Sequence, residues 1–311
     1  QAAAGVRKQG DGRRATIDDR WHLGSDTKAM TATLAAMLVD EKRLAWGSTV
    51  GEIFSDWKDL HRGFARVTLE MLLAHRGGAP AELSPLEWGR MWRARDPAIE
   101  RTRAVHALLR EPPGKVGDYR YSNFGYLVAG AMIEKVTGQA WEVVMRKRLF
   151  EPLKMGSCGF GAPASPGKID QPWAHRRTGS GLEPVAPGPQ SDNPPSLGPA
   201  GTVHCGLRDW AKFAQLHLDE ARGKGTLVSA ASLAKLHTPW PGGDYALGWL
   251  VERREGATVL AHDGSNTMFL ARIWMVPAKN VAFLVATNAA GDEARNAMDR
   301  TVAYLRARYL K

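Results

Sequence analysis

The sequence predicts a two-lobed α/β (α+β) protein. An antiparallel sheet flanked by helices is built from both chain termini, and an all-helical lobe is inserted between them. Three observations carry this. From residue 244 four strand-like runs follow one another, YALGWLVERRE, TVLAHDG, MFLARIWMVPA and VAFLVATNA. Their turns carry Gly or Pro-Ala-Lys-Asn, and connections that short join antiparallel neighbours. The stretch before them reads mostly as helices and loops. Residues 1–9 read as a short strand ended by Gly10-Asp11-Gly12, which needs the late strands to cover it. The expected boundaries are 1–22 with 244–311 for the sheet lobe and 23–243 for the helical lobe, with an active site between them.

The helical elements follow from apolar spacing. SDTKAMTATLAAMLVDEKRL places Met30, Leu34, Met37, Leu38 and Leu44 at helical intervals, with Ser25 at the start. VTLEMLLAHRGGAP reads as a helix ended by Gly77-Gly78, and YSNFGYLVAGAMIEKVTG as one stopped by Gly138. WEVVMRKRLF and LRDWAKFAQLHLDEA continue the pattern. Residues 161–200, rich in Pro, Gly and Ser, read as a long surface excursion. DEARNAMDRTVAYLRARYL closes the chain as an amphipathic helix.

Composition narrows the function. A chain of 311 residues with 44% apolar content can bury a substantial core. It has no run of about 18 apolar residues, so no membrane span is expected. Residues 1–10 lack the apolar core of a signal peptide. The protein is therefore expected in the periplasm or secreted if a leader has been removed, and otherwise in the cytoplasm. The net charge is +10, but Lys and Arg are spread along the chain, and RMWRAR (Arg90 to Arg95) reads as a solvated helical face. No nucleic-acid partner is expected. Most of the 11 tryptophans read as core or cleft walls. Cys158 and Cys205, 47 residues apart, read as two buried thiols or a disulfide. A zinc site with His175 or His204 does not fit usual ligand spacing.

The chemistry begins with Ser-x-x-Lys. On a helix, residues three apart share a face, with Cβ atoms about 5–6 Å apart. A serine hydroxyl needs a base to become nucleophilic, and a desolvated lysine can be that base. Four such pairs occur: Ser25/Lys28, Ser55/Lys58, Ser165/Lys168 and Ser232/Lys235. The first alone follows a glycine and opens a long apolar helix. Tyr121-Ser122-Asn123 begins a further helix; its Tyr could relay a proton and its Asn could bind a substrate amide or orient Lys28. Taken alone, it also reads as an N-cap beside a packed Tyr. His262-Asp263-Gly264-Ser265 ends a strand-like run, where the glycine allows close approach of a ligand; alone, it reads as a hairpin turn. No Gly-x-Ser-x-Gly elbow occurs, which disfavours a Ser-His-Asp α/β hydrolase.

These three motifs in this order resemble the serine β-lactamase and penicillin-binding-protein superfamily. The branch most similar is the class C β-lactamase-related group, with its DD-peptidases and family VIII carboxylesterases. LLAHRGGAP, PPGKVGDYRYSNFGYLVAGAMIEKVTG, FEPLKMGSC, GPAGTVHCGLRDWAKFA and YALGWLV extend the resemblance over nearly the whole chain. It implies a serine β-lactamase/DD-peptidase-like fold and an acyl-enzyme on Ser25. Lys28 is then its partner and Tyr121 the base or proton relay. Asn123, His262, Asp263, Gly264 and Ser265 are the implied substrate contacts. The implied oxyanion hole is the backbone N–H groups of Ser25 and Ser265. No cofactor or metal is implied, and the partner is a small ester, amide or β-lactam.

Two departures refine this. The family's third motif usually starts with Lys, then Thr or Ser. Here His262 offers less charge, and an ionised Asp263 facing the cleft would repel a carboxylate, which favours neutral esters or amides. The alternative is that Asp263 points away and pairs with an arginine. Only 24 residues precede Ser25, where the family has a helix and further strands. That implies a truncated chain or a small sheet with an exposed edge. The readings are thus a carboxylesterase-like serine hydrolase, a β-lactamase or DD-peptidase, and a non-catalytic member.

Overall fold

The computed structural model describes residues 1–225, 227–254 and 256–310. Its strands form three antiparallel sheets. β1 (Arg20–His22), β2 (Gly159–Phe160) and β5 (Val203–Gly206) form a small sheet with β5 in the centre. β3 (Ala174–Thr178) and β4 (Gly181–Val185) pair as a hairpin inside the Pro- and Gly-rich excursion. The main sheet is the meander β6 (Leu250–Arg254), β7 (Ala257–Ser265), β8 (Leu270–Val276) and β9 (Val281–Thr287).

The expected antiparallel sheet flanked by helices is present, with three corrections. Its strands all come from residues 250–287; the segment 1–9 adds none. Gly5 and Gly10 take left-handed conformations (φ +92° and +79°), which turn that segment back on itself, leaving a single bridge between Val6 and Arg14. It meets the sheet lobe through Asn288, whose side-chain amide donates to the carbonyls of Val6 and Arg7. The lobe between the termini is not all helical, since it holds β2 to β5, and β1 in the segment before it pairs with β5 rather than with the main sheet. The run starting at Tyr245 becomes a strand only at Leu250, because Gly248 (φ +84°) bends the chain before it; its last residue, Glu255, lies outside the described residues.

Period-two alternation explains how the main sheet is shared. On β7, Val259 and Ala261 pack with Trp274, Phe283 and Val302 under the C-terminal helix Asp292–Tyr309. Leu260 on the other face joins the main core with Ile273 and Met275. His262 and Gly264 therefore face the lobe that carries Ser25, and Asp263 faces the C-terminal helix.

The helix Thr27–Asp40 is buried on nearly every side, because its sequence is Ala, Met, Leu and Thr around its whole circumference. It ends at Asp40, so Leu44 packs from the following loop. Ser122 caps the helix Asn123–Thr137 by accepting from the N–H groups of Phe124 and Gly125, and Gly138 (φ +68°) closes it. The helix expected to run to Gly77 is only Leu69–Leu73; His75 at φ +60° stops it earlier. Cys158 and Cys205 form a disulfide that ties β5 to the turn before β2. No helix among the described residues is long and apolar enough to cross a membrane.

The lobes meet backbone to backbone. A Cβ at Gly264 would fall 1.8 Å from the carbonyl oxygen of Leu23, and one at Gly24 would fall 2.3 Å from the Ser265 nitrogen. Gly264→Ala is expected to lower Tm by about 5 °C or more and to abolish Ser25 reactivity. Gly12→Ala, in open space, is expected to stay within about 2 °C of wild type. Thermal melts followed by circular dichroism check both.

Candidate active site

Ser25 lies in a short 3-10 turn, Gly24–Asp26, that leads into the buried helix Thr27–Asp40. One turn on, Lys28 is fully buried. Its Nζ is 3.0 Å from Ser25 Oγ, 2.7 Å from Asn123 Oδ1 and 2.7 Å from the Ala200 carbonyl oxygen. The Tyr121 hydroxyl donates to Ser25 Oγ at 2.8 Å. In the other three Ser-x-x-Lys pairs the hydroxyl and amine are not joined. Lys58 donates to the Ser55 carbonyl, Ser165 donates to Asp170, and Ser232 and Lys235 turn to Asp40 and Glu70.

Electrostatics follow from burial. Desolvation lowers the Lys28 amine to about 7, opposed by the charge of Asp26. A carbonyl can only accept, so a neutral Lys28 donates its two N–H groups to Asn123 Oδ1 and Ala200. Its lone pair is left facing the Ser25 hydroxyl. Burial pushes the Tyr121 phenol up, with the Ser25 hydrogen bond opposing, so it stays protonated. Asp26 is buried with neither carboxylate oxygen hydrogen-bonded. Desolvation, with Asp263 adding, holds it well above the usual carboxylate range.

Behind Tyr121 stands a wall of neutral rings. His75 packs on Tyr121, Tyr126 and Tyr245 with centroids 4.2, 5.2 and 4.7 Å away. His262 donates from Nδ1 to the Asp263 carbonyl (2.8 Å), so its Nε2 accepts from the Tyr245 hydroxyl (2.9 Å). Burial, with the Lys28 charge adding, lowers His262 to about 4.

The cleft over Ser25 has a volume of about 400 Å³ and is lined by Ser25, Asn123 and Ser265 among others. Two expected substrate contacts are corrected. His262 does not line this cleft; it is buried behind Tyr121, because the pleat turns it into the wall. Asp263 is on the opposite face, where Arg272 grips it in a bidentate ion pair at 2.5 and 2.7 Å, with Arg295 at 3.4 Å. It opposes no substrate carboxylate, and the arginine-paired alternative is the one found. Gly264 is spent on the contact with Leu23 and Asp26. The Ser265 side chain closes its own turn, donating to the Phe269 carbonyl and accepting from Thr267 N–H. Only its backbone is left for a ligand.

Sequence reasoning missed Trp88, Trp92, Arg176, Glu82, Asp192 and Asn193, all on the cleft wall. Trp88 and Trp92 sit at i and i+4 on the helix Pro85–Arg93, spacing that marks one face. The Trp92 ring N–H donates to the Asp192 carbonyl, joining this helix to the excursion. Among the described residues no three or more His, Cys, Asp or Glu side chains form a metal-holding group.

Known proteins resemble this chain over nearly its whole length. The family model described as Beta-lactamase matches residues 1–308. "Unguisins hydrolase ungD'" of Aspergillus campestris (strain IBT 28561) is 28% identical over 291 residues, covering 88% of this chain and 53% of that protein. "Penicillin-binding protein 4" of Amycolatopsis lactamdurans is 29% identical over 303 residues, covering 93% of this chain and 77% of that protein. The chain thus spans about half the length of the first of these relatives. Among solved structures, the octameric penicillin-binding protein homologue from Pyrococcus abyssi superposes with a TM-score of 0.75 at 23% identity, covering 93% of this chain and 66% of that one. The D-amino acid amidase from Ochrobactrum anthropi SV3 gives 0.72 at 22%, covering 93% and 82%. The fold is therefore that of the serine β-lactamases and penicillin-binding proteins, and the chain belongs to the Beta-lactamase family.

Proposed function

We propose that this protein is a serine hydrolase that cleaves small esters or amides through an acyl-enzyme on Ser25, as a carboxylesterase-like member of the family. The carrying observation is that Ser25 Oγ lies within hydrogen-bond reach of a buried, readily neutralised amine and a protonated phenol at once. Lys28 takes the hydroxyl proton as Ser25 Oγ bonds the substrate carbonyl carbon. Tyr121 gives its proton to the leaving group as that bond breaks. The oxyanion is held by the backbone N–H groups of Ser25 and Ser265. Water then attacks the acyl-enzyme, its proton returns Ser25 to the hydroxyl, and Lys28 restores Tyr121. Asn123 keeps the Lys28 lone pair aimed at Ser25.

The substrate class rests on charge. His262 is neutral and buried, so it offers no cation to a carboxylate. A β-lactam or D-alanyl peptide reading draws support from the relatives named penicillin-binding proteins and from Arg176, an exposed cation on the cleft wall. Intact-mass spectrometry after penicillin G and, separately, p-nitrophenyl butyrate decides between them. Acylation of Ser25 by the ester alone supports the esterase. Penicillin adduct or nitrocefin turnover supports the alternative, and labelling by neither, nor by a fluorophosphonate, ends both. The Cys158–Cys205 disulfide supports an oxidising compartment, periplasmic or secreted; a thiol reagent that labels both cysteines in freshly isolated protein would contradict it.

Ser25→Ala is expected to abolish ester turnover. Lys28→Arg, whose guanidinium cannot take a proton, is expected to lower kcat/KM by about 100- to 10,000-fold. For wild type, kcat/KM is expected to rise with pH to a plateau above about pH 7, because protonated Lys28 has no lone pair. Burial of Lys28 is also expected to cost stability at low pH, a cost relieved as pH rises from about 7 to 10.5, where the unfolded chain still holds a proton the folded one has released. Melts of wild type against Lys28→Met across that range test the sign. Tyr121→Phe is expected to cost amide substrates at least about tenfold more than p-nitrophenyl esters, whose leaving group needs no proton.

A further inference from the structure

A second cavity of about 360 Å³ adjoins the cleft. The two spaces share Asp192 and Asn193, and where Gly201 lines the cleft, Thr202 lines this cavity. The partition between them is therefore two short stretches, 192–193 and 201–202. The cavity walls are apolar, chiefly Phe160, Ala162, Pro187 and Pro195, supplied mostly by the Pro- and Gly-rich excursion.

One polar feature on that wall is unmatched. Asp192 is 7% exposed, and its two carboxylate oxygens are treated unequally. Oδ1 accepts from Asn193 N–H (2.6 Å) and Asn266 Nδ2 (3.3 Å), and His22 Nε2 lies 2.7 Å from it. Oδ2 is buried and has no partner. It faces Gly161 across the cavity wall, 3.8 Å from where a Cβ would stand. The other carboxylate there, Glu142, is already held by Arg101. A buried carboxylate oxygen without a donor is costly, and native structures seldom leave one so. An apolar box with one unmatched anionic acceptor fits an apolar group that brings its own N–H donors and positive charge.

We propose that this cavity binds an apolar group carrying a primary ammonium, with Asp192 Oδ2 as its counter-charge. The ammonium can belong to the acyl part of a substrate reaching past Asn193, or to a free amine. Asp192 also stands near the turn that carries Ser25. The Gly24 N–H donates to His22 Nδ1 (3.0 Å), so the His22 proton is on Nε2, which lies 2.7 Å from Asp192 Oδ1 without hydrogen-bonding it. The substrate source rests on the acyl-hydrolase reading; the binding itself does not.

Three measurements test it on the full chain. Calorimetry with 2-phenylethylamine and with the neutral 2-phenylethanol reads binding without turnover. The amine is expected to bind at least about tenfold tighter, a margin expected to vanish in Asp192→Asn. Ala162→Trp, which narrows the cavity and leaves Asp192 and His22 in place, is expected to weaken the amine as well, so the result does not hang on one variant. The kcat/KM for p-nitrophenyl esters of phenylalanine against 3-phenylpropanoate then separates the sources. A preference of about tenfold or more for the aminoacyl ester, lost in Asp192→Asn, assigns the ammonium to the substrate. Amine binding without such a preference assigns it to a free ligand. Equal binding of amine and alcohol by wild type overturns the proposal, even if Ser25 hydrolyses both esters. Absence of any turnover or Ser25 labelling, with amine binding intact, overturns the acyl-hydrolase reading alone.

Discussion

The structure depends on the burial of one amine. Lys28 has no exposed surface, and three separate parts of the chain converge to receive it. Asn123 comes from the start of a helix that Ser122 caps, Ala200 from the short helix Gly198–Gly201, and Ser25 from the turn before Lys28 itself. A buried ammonium costs several kcal/mol unless it is paired. Here it has acceptors but no strong counter-ion. Asp26, the nearest carboxyl in sequence, is itself pushed toward its neutral form. The amine answers by releasing its proton more readily. The feature that weakens the fold at low pH is therefore the one that makes a base.

The second constraint is steric. The strand that ends at Ser265 must come within van der Waals contact of the Leu23-Gly24 backbone, so neither Gly264 nor Gly24 has room for a side chain. That contact brings the Ser265 nitrogen beside the nucleophile turn. The other face of the same strand holds it in place: Asp263 pairs with Arg272 on β8, which also reaches Asp299 on the C-terminal helix. One strand thus carries an ion pair outward and a backbone wall inward, and Asp263 serves the site by fixing the strand that bounds it.

The parts legible in the sequence were those written in local spacing. Ser25 and Lys28 are one helical turn apart, Tyr121 and Asn123 flank a capping serine, and both pairs lie within reach of one another. The four late runs were readable because their turns are short. What was not legible required knowing the phase of a pleat or the partner of a loop. His262 and Asp263 are neighbours in sequence on opposite faces of β7, and nothing in HDGS says which face meets substrate. The segment 1–9 has strand composition, yet Gly5 and Gly10 turn it away. The Pro- and Gly-rich excursion looked like uncommitted surface, but it brings Asp192 and Asn193 into the cleft. The Arg-rich run beyond Trp88 drew attention to charge, although Trp88 and Trp92 are what face the cleft.

The place of His262 shows how the site limits charge. A lysine there would put a second cation behind Tyr121 and make the Lys28 amine still easier to deprotonate. A neutral histidine, fixed as the Nδ1–H tautomer by the Asp263 carbonyl, accepts the Tyr245 hydroxyl instead. To become charged it would have to give up that hydrogen bond, and burial already opposes the charge. His75, ringed by tyrosines, is held neutral for the same reason. The wall thus supplies rings and dipoles without net charge. With these rings held neutral, gain or loss of the Lys28 proton is the main change of charge beside the reacting hydroxyl, 3.0 Å away.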